Sequence, residues 1–287
     1  MQRMTTSSLQ RFTAFSDDPA GGNPAGVWIG GSLPSDDVMQ AIAVDVGYSE
    51  TVFAAKTGGD GFDVRYFSPE REIAFCGHAT IALGARLQAD FGPGRYILQT
   101  AAGVVPIEVK DREGLVYATL TSVEPTTEEA PAALVDAVLD TLAWSRKDIE
   151  LEMAPAVAAA GARHLLLPVV SRERLAVVDY SFDNLRDLML AHDLTTVDLF
   201  WRESAGVIHS RNLFPVGGVV EDPATGAAAA ALAGHLRSIG AISAPAEFVI
   251  HQGDDMGRPS LLMVTVPRNG GIEVSGTAIA IDLVEPS

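Results

Sequence analysis

The single cysteine of the chain, Cys76, lies in the stretch EIAFCGHAT, residues 72–80, next to Gly77 and His78. A thiol beside an imidazole suits three chemistries: nucleophilic attack, acid/base exchange of a proton, or ligation of a metal. Two further places carry acids in unusual company. Glu50 sits in YSETVF between a helix and a strand that would otherwise be apolar, and Glu221 and Asp222 sit in VVEDPATG just ahead of an alanine-rich run. Gly77-His78-Ala79 and Thr225-Gly226-Ala227 each begin a helical pattern. A helix start leaves backbone N–H groups free, and each such end attracts an anion by about 0.3–1 kcal/mol, up to about 2 when partly buried. Two of them predict a carboxylate-binding pocket.

These residues carry different weights. An acid among apolar residues is desolvated, its pKa rises toward the operating pH, and it becomes suited to moving a proton; an exposed turn is the other reading of Glu50. Asp222 is a second acid/base candidate or a helix cap. His78 either titrates beside substrate, binds its carboxylate, or is structural. Cys76 has no partner thiol. Aligning the two helix starts on Phe67 (FSPEREIAFC) and Phe214 (FPVGGVVEDP) sets Pro223 opposite it, so two-thiol racemase chemistry is excluded and a buried strand-end role is favoured. The histidines at 164, 192, 209, 235 and 251 are scattered, which argues against a zinc site.

The elements that must position these groups are mostly short strands. Runs such as GVWIG, TVFAA, FDVRYFS, RYILQT, VVPIEVK and LVYATL precede HLLLPVV, RLAVVDY, EFVIHQG, LLMVTV and GTAIAIDL, with turn residues between them. Helices are expected over 35–46, with Ser35 as cap, and over 78–88, 131–143, 182–191 and 225–238. The helices HATIALGARL and TGAAAAALAGHL are apolar on nearly every face and belong inside a core. Irregular alternation predicts an α+β fold of two similar domains, each a mixed β-sheet or barrel wrapped around a central helix. The expected division is 1–122 and 123–287, with the acidic segment 121–133 as linker and the final strand a candidate to pack on the N-terminal domain.

Composition narrows the partners. A formal net charge of −17 repels nucleic-acid backbones and anionic lipid, leaving a small-molecule partner. One cysteine excludes an internal disulfide, and no window of about eighteen apolar residues is present, so a cytoplasmic protein is expected.

Five stretches in order, FTAFSDDPAGGNPAGVW, YSETVF, RYFSPEREIAFCGHAT, VVEDPATGAAAAALAG and IHQGDDMGRPSLLMV, resemble the phenazine biosynthesis PhzF-like family. The resemblance implies a diaminopimelate epimerase-like fold, an interdomain cleft as the site, a homodimer, and a cofactor-independent isomerase acting on a small carboxylated metabolite. It implies Glu50 as the proton-moving acid/base and His78 and Asp222 as catalytic assistants. Backbone N–H groups of Gly77, His78, Gly226 and Ala227 are implied to receive the substrate carboxylate. Asn23 and the MGRP segment match family motifs with structural or pocket-lining roles. The family commonly has Ser where this chain has Ala227. An epimerase or racemase using Glu50 or Cys76 with Asp222, and a non-catalytic small-acid binding protein, are the alternatives.

Overall fold

The structure is a computed structural model that describes residues 8–150 and 152–281. Contacts divide the chain into two compact units, Met1–Thr121 with Ser275–Ser287, and Ser122–Val274.

The first unit opens with β1 (Ser8–Ala14) antiparallel to β2 (Asn23–Gly30). Helix α1 (Asp36–Val46) then crosses over to β3 (Glu50–Gly58), parallel to β2. Ser35 occupies the N-cap of α1 but makes no side-chain cap bond; the Asp36 and Asp37 carboxylates in the first turn face the positive end of the helix dipole instead. Antiparallel to β3 runs β4 (Gly61–Phe67), which folds back as the two-residue β5 (Glu72–Ile73) and leads into α2 (Gly77–Phe91). Next come β6 (Gly94–Thr100), parallel to β4, and the antiparallel meander of β7 (Gly103–Arg112) and β8 (Leu115–Thr121).

The second unit repeats this scheme. Within the acidic segment expected as a linker, Thr126–Glu129 forms β9, antiparallel to β10 (Ala156–Ala159), with α3 (Ala132–Thr141) between them. Strand β11 (Arg163–Pro168) pairs antiparallel with β10 and parallel with β12 (Thr196–Arg202). In the crossover between them lie α4 (Arg172–Ala176) and α5 (Phe182–Ala191). Antiparallel to β12, β13 (Val207–Leu213) folds back as β14 (Glu221–Asp222) into α6 (Gly226–Ser238). Parallel to β13, β15 (Ala246–Gln252) then makes a hairpin with β16 (Ser260–Val266).

Finally β17 (Glu273–Ala280) returns to the first unit, pairing with β1 (Phe12 opposite Ala280) and with β8. The pairings β1–β2–β3–β4–β6–β7–β8–β17–β1 form a closed eight-stranded ring, so none of its members is left as a free edge. Residues 282–283, the tail of the strand expected over 276–283, lie outside the described residues.

Both central helices are buried on all sides: His78 through Leu87 in α2, and Ala228 through Leu236 in α6. Their small residues let strands approach. A Cβ at Gly84 would stand 2.6 Å from Ala118 Cβ on β8, and one at Gly234 would collide with Pro125. Glycine inside a helix costs about 1 kcal/mol, which the close packing offsets.

The expected strand over RLAVVDY is absent. Ser171 caps α4 by accepting from the Arg174 N–H, Leu175 is the helix residue turned inward, and Val177 is 65% exposed. Those β-branched residues have no neighbouring strand to pair with. Conversely, β12 and β13 escaped the pattern reading because their inner face is polar and buried. His164 Nδ1 pairs with Thr196 Oγ1 at 2.7 Å, Thr196 donates to Asn212 Oδ1, and Asn212 and Ser210 donate to Asp198 Oδ1. The opposite face carries Leu165, Leu167, Val197, Leu199 and Leu213, packed under α3 and α5.

Candidate active site

In the first unit three element starts converge. Asn23 begins β2, Glu50 begins the parallel neighbour β3, and Cys76-Gly77-His78 begins α2. Their meeting follows from local chemistry. Gly47, in the left-handed conformation (φ 71°), ends α1 with its N–H on the Ala43 carbonyl, and Glu50 enters β3 three residues later, opposite Ala25. The β4–β5 hairpin likewise aims Cys76 at the N-cap of α2 with extended backbone, where its sulfur makes no cap bond. Thr80 ties this turn down: its N–H and its hydroxyl both bond the Cys76 carbonyl, at 3.1 and 2.7 Å. Tyr66 pairs with the Thr80 hydroxyl from β4.

The side chains form one cluster. His78 Nε2 lies 3.2 Å from Glu50 Oε2, with the two side chains 7% and 13% exposed. His78 Nδ1 lies 3.2 Å from Asn23 Nδ2, and Asn23 is buried. With the Asn23 amide donating, Nδ1 accepts, so Nε2 carries the hydrogen and points it at the Glu50 carboxyl. Cys76 Sγ is 3.4 Å from Nδ1 and 3.8 Å from Nε2. Burial pushes the Glu50 carboxyl above the usual carboxylate range, against the smaller opposing pull of hydrogen bonds from Ser49 and the Cys76 thiol. A carboxyl raised in this way keeps its proton more readily than a free one, which suits it to exchange a proton with a substrate. One donor atom each from Glu50, Cys76 and His78 fall within 4.8 Å of one another, a grouping invisible to spacing because 26 residues separate its first two members.

At Gly77 the backbone is ordinary and a Cβ would meet no atom within 4 Å. Neither strain nor packing demands glycine there.

The second unit arranges the matching segment differently. Arg211 holds Glu221 in a buried two-pronged pair, at 3.0 Å from Nε and 2.6 Å from Nη2, and spans to the Leu175 and Ala176 carbonyls as well. Glu221 is therefore committed to structure. Asp222 is not the helix cap; Thr225 occupies that position, and its hydroxyl donates to Asp222 Oδ2. Gln252, fully buried on β15, bonds both ends of this turn. Its Nε2 donates to the Asp222 carbonyl at 2.7 Å and to Thr225 Oγ1 at 3.1 Å, while its Oε1 accepts from the Thr225 N–H at 3.1 Å.

Strand register corrects the alignment of the two starts. Tyr66 pairs with Ile73 as Asn212 pairs with Asp222, and each helix begins four residues after the second partner. Thr225, not Pro223, therefore stands where Cys76 stands, and Ala227 stands where His78 stands. The hairpin loop is three residues longer in the second unit, which is why matching Phe67 to Phe214 slips the register. The conclusion that a second thiol is missing is unchanged.

Glu50, His78 and Gly77 are thus brought together in the first unit, joined by Cys76 and Asn23; Asp222, Gly226 and Ala227 are brought together in the second, joined by Thr225 and Gln252. Gln252 escaped the sequence reading. Its one signal was phase: on EFVIHQ it falls in the inward register of Phe248 and Ile250.

Comparison with known proteins decides the family. The profile of the PhzC-PhzF family, phenazine biosynthesis-like protein, matches residues 12–282. The chain belongs to that family. A trans-2,3-dihydro-3-hydroxyanthranilate isomerase of Pseudomonas aeruginosa is 31% identical, with 93% of this chain and 94% of that protein covered. An uncharacterized isomerase of Bacillus subtilis is 27% identical over 96% of this chain and 97% of its own length. Among solved structures, a predicted epimerase of P. aeruginosa superposes with a TM-score of 0.85 at 25% identity, covering 98% of this chain and all of that one. A probable proline racemase of Agrobacterium radiobacter shares the fold alone, with a TM-score of 0.66 at 14% identity and coverages of 98% and 93%. Like its named relatives, the protein of this PhzF-like family is an isomerase.

Proposed function

We propose that the protein moves a proton between two carbons of a small carboxylated substrate without a cofactor, with Glu50 as the shuttle. The observation that carries this reading is the buried Glu50 carboxyl, raised in pKa and 3.2 Å from the His78 imidazole. Glu50 in its carboxylate form removes a proton from one carbon, the electron pair moves through the adjacent unsaturation, and the same carboxylic acid returns the proton at a second carbon. Bonds and charges balance within the substrate, and no oxidant is consumed. His78, donating from Nε2, stabilises the carboxylate form that each half-step requires, and Asn23 fixes the imidazole tautomer. The N–H groups of Gly77 and His78, at the start of α2, take the substrate carboxylate. Following the family resemblance, Asp222 assists and the Gly226 and Ala227 N–H groups contribute to the same recognition. The named relatives act on trans-2,3-dihydro-3-hydroxyanthranilate, an acid of the class proposed here.

The alternative, an epimerase or racemase pairing Glu50 or Cys76 with Asp222, predicts inversion at one carbon, which product chirality separates from transfer between two. Thermal-shift screening of carboxylated metabolites identifies a ligand, since binding to the folded state raises its stability. Turnover of that ligand in D2O is then followed for Glu50→Gln. Loss of solvent deuterium incorporation by about 10²–10⁴-fold is expected; undiminished incorporation in a folded variant refutes the assignment.

A further inference from the structure

The Glu50, Cys76 and His78 side chains present a carboxylate, a thiol and an imidazole, which are the three protein ligands that zinc takes most readily. Zinc bonds of about 2.0–2.3 Å to O, N and S in a tetrahedron place neighbouring ligand atoms about 3.3–3.8 Å apart. Here Glu50 Oε2 lies 3.2 Å from His78 Nε2, Cys76 Sγ lies 3.8 Å from the same nitrogen, and all three donors fall within 4.8 Å of one another. Cys76 Sγ lies closer to Nδ1, at 3.4 Å, than to Nε2, so the thiol must turn about its Cα–Cβ bond to share an ion with Nε2 and Glu50. All three side chains are largely buried and held by β3 and the first turn of α2, so the donors converge without ordering a loop.

The surroundings suit an ion as well. For Nε2 to ligate, its hydrogen must move to Nδ1, and Nδ1 faces the carboxamide of buried Asn23. Turning that amide presents its oxygen to the new Nδ1–H, which is the outer-shell support that metal-bound histidines ordinarily have. Three protein ligands leave the fourth position to water or a substrate oxygen, the count of an open rather than a closed zinc site.

We propose that Glu50 Oε2, Cys76 Sγ and His78 Nε2 form a capture site for Zn²⁺, one ion per chain, and that its occupation and proton shuttling by Glu50 exclude each other. Binding displaces the thiol proton to solvent and leaves no redox change. The test needs no substrate, so its outcome is separate from that of the proton-transfer reading.

The full chain, stripped with chelator, is titrated with Co²⁺ as a spectroscopic substitute and then with Zn²⁺. Expected is saturation at one Co²⁺ per chain, with a thiolate-to-cobalt charge-transfer band and the intense visible bands of four-coordinate cobalt, both bleached by Zn²⁺. Because Cys76 is the only thiol in the chain, its alkylation by iodoacetamide reports the same site, and Zn²⁺ should slow it at least about tenfold. Cys76→Ser should lose the charge-transfer band, and Asn23→Ala should weaken binding about 10–100-fold. A titration without a charge-transfer band, or an alkylation rate indifferent to Zn²⁺, overturns the proposal using wild-type protein alone. So does an unchanged Zn²⁺ affinity in Cys76→Ser, which would place the ion elsewhere.

Discussion

The starts of α2 and α6 are made by the same strand, hairpin and helix, yet their acids live in opposite conditions. Glu50 reaches the α2 start from a separate strand, is desolvated, and meets an imidazole and a thiol. Asp222 belongs to the hairpin of its own helix start and is fastened there by Thr225 and Gln252. The contrast arises from two side chains at matched positions, Cys76 against Thr225 and His78 against Ala227, on an almost unchanged backbone scheme. Duplicated architecture thus supplies two helix ends, and substitution at the cap and second helical positions decides which of them carries a titrating group.

The comparison breaks first at Glu50. Glu50→Gln should lower turnover of an identified substrate by about 10²–10⁴-fold while retaining the fold, as circular dichroism would check. Asp222→Asn should lower it less, by about 10–100-fold, if the fastened acid assists rather than shuttles; equal losses for the two variants would erase the distinction drawn between the two starts.

Gln252→Leu sharpens the point. It leaves the part-buried Thr225 N–H without its acceptor and should cost about 1–3 kcal/mol in urea unfolding. Loss of stability below that range would show that the α6 start is not held by this side chain.

A further contrast lies in an effect of pH on the polar inner face of β12 and β13 in the second unit. Burial pushes the Asp198 carboxyl up to about 7, against hydrogen bonds from Ser210 and Asn212. A folded-state pKa above the unfolded value of 3.8 means that protonated Asp198 favours the fold. That contribution is complete below about pH 4 and disappears as pH rises through 7. Asp198→Asn, which keeps an acceptor oxygen, should therefore melt higher than wild type at pH 8, with the gap closing toward pH 4. A gap independent of pH would contradict the placement of that acid.

Much of this was legible in the amino-acid order because burial and chemistry left separate marks. The all-round apolar helices around Leu83 and Leu232 announced two cores, and Glu50 stood out as an acid at the head of a strand that runs on into Val52 and Phe53. Register was not legible. A loop three residues longer between β13 and β14 shifts the apparent partner of Cys76 from Thr225 to Pro223, and only strand pairing reveals the slip. Strands β12 and β13 were hidden for a related reason: Thr196, Asp198, Ser210 and Asn212 satisfy one another inside the protein, so polar residues there signal burial rather than exposure. The convergence of Asn23, Glu50 and His78 depends on parallel pairing of β2 with β3, a long-range property that no local window contains.

Closure of the first ring by β17 has a consequence for how the protein is born. Strands β1 and β8 leave the ribosome before β9, but the segment that lies between them emerges only after β9 to β16 have been made. Until then both edges, with their unpaired backbone groups, are open to wrong partners, while the intervening unit already has all of its own strands. Vectorial synthesis therefore favours the second unit as the earlier folder and delays completion of the Glu50 scaffold until β17 has followed it.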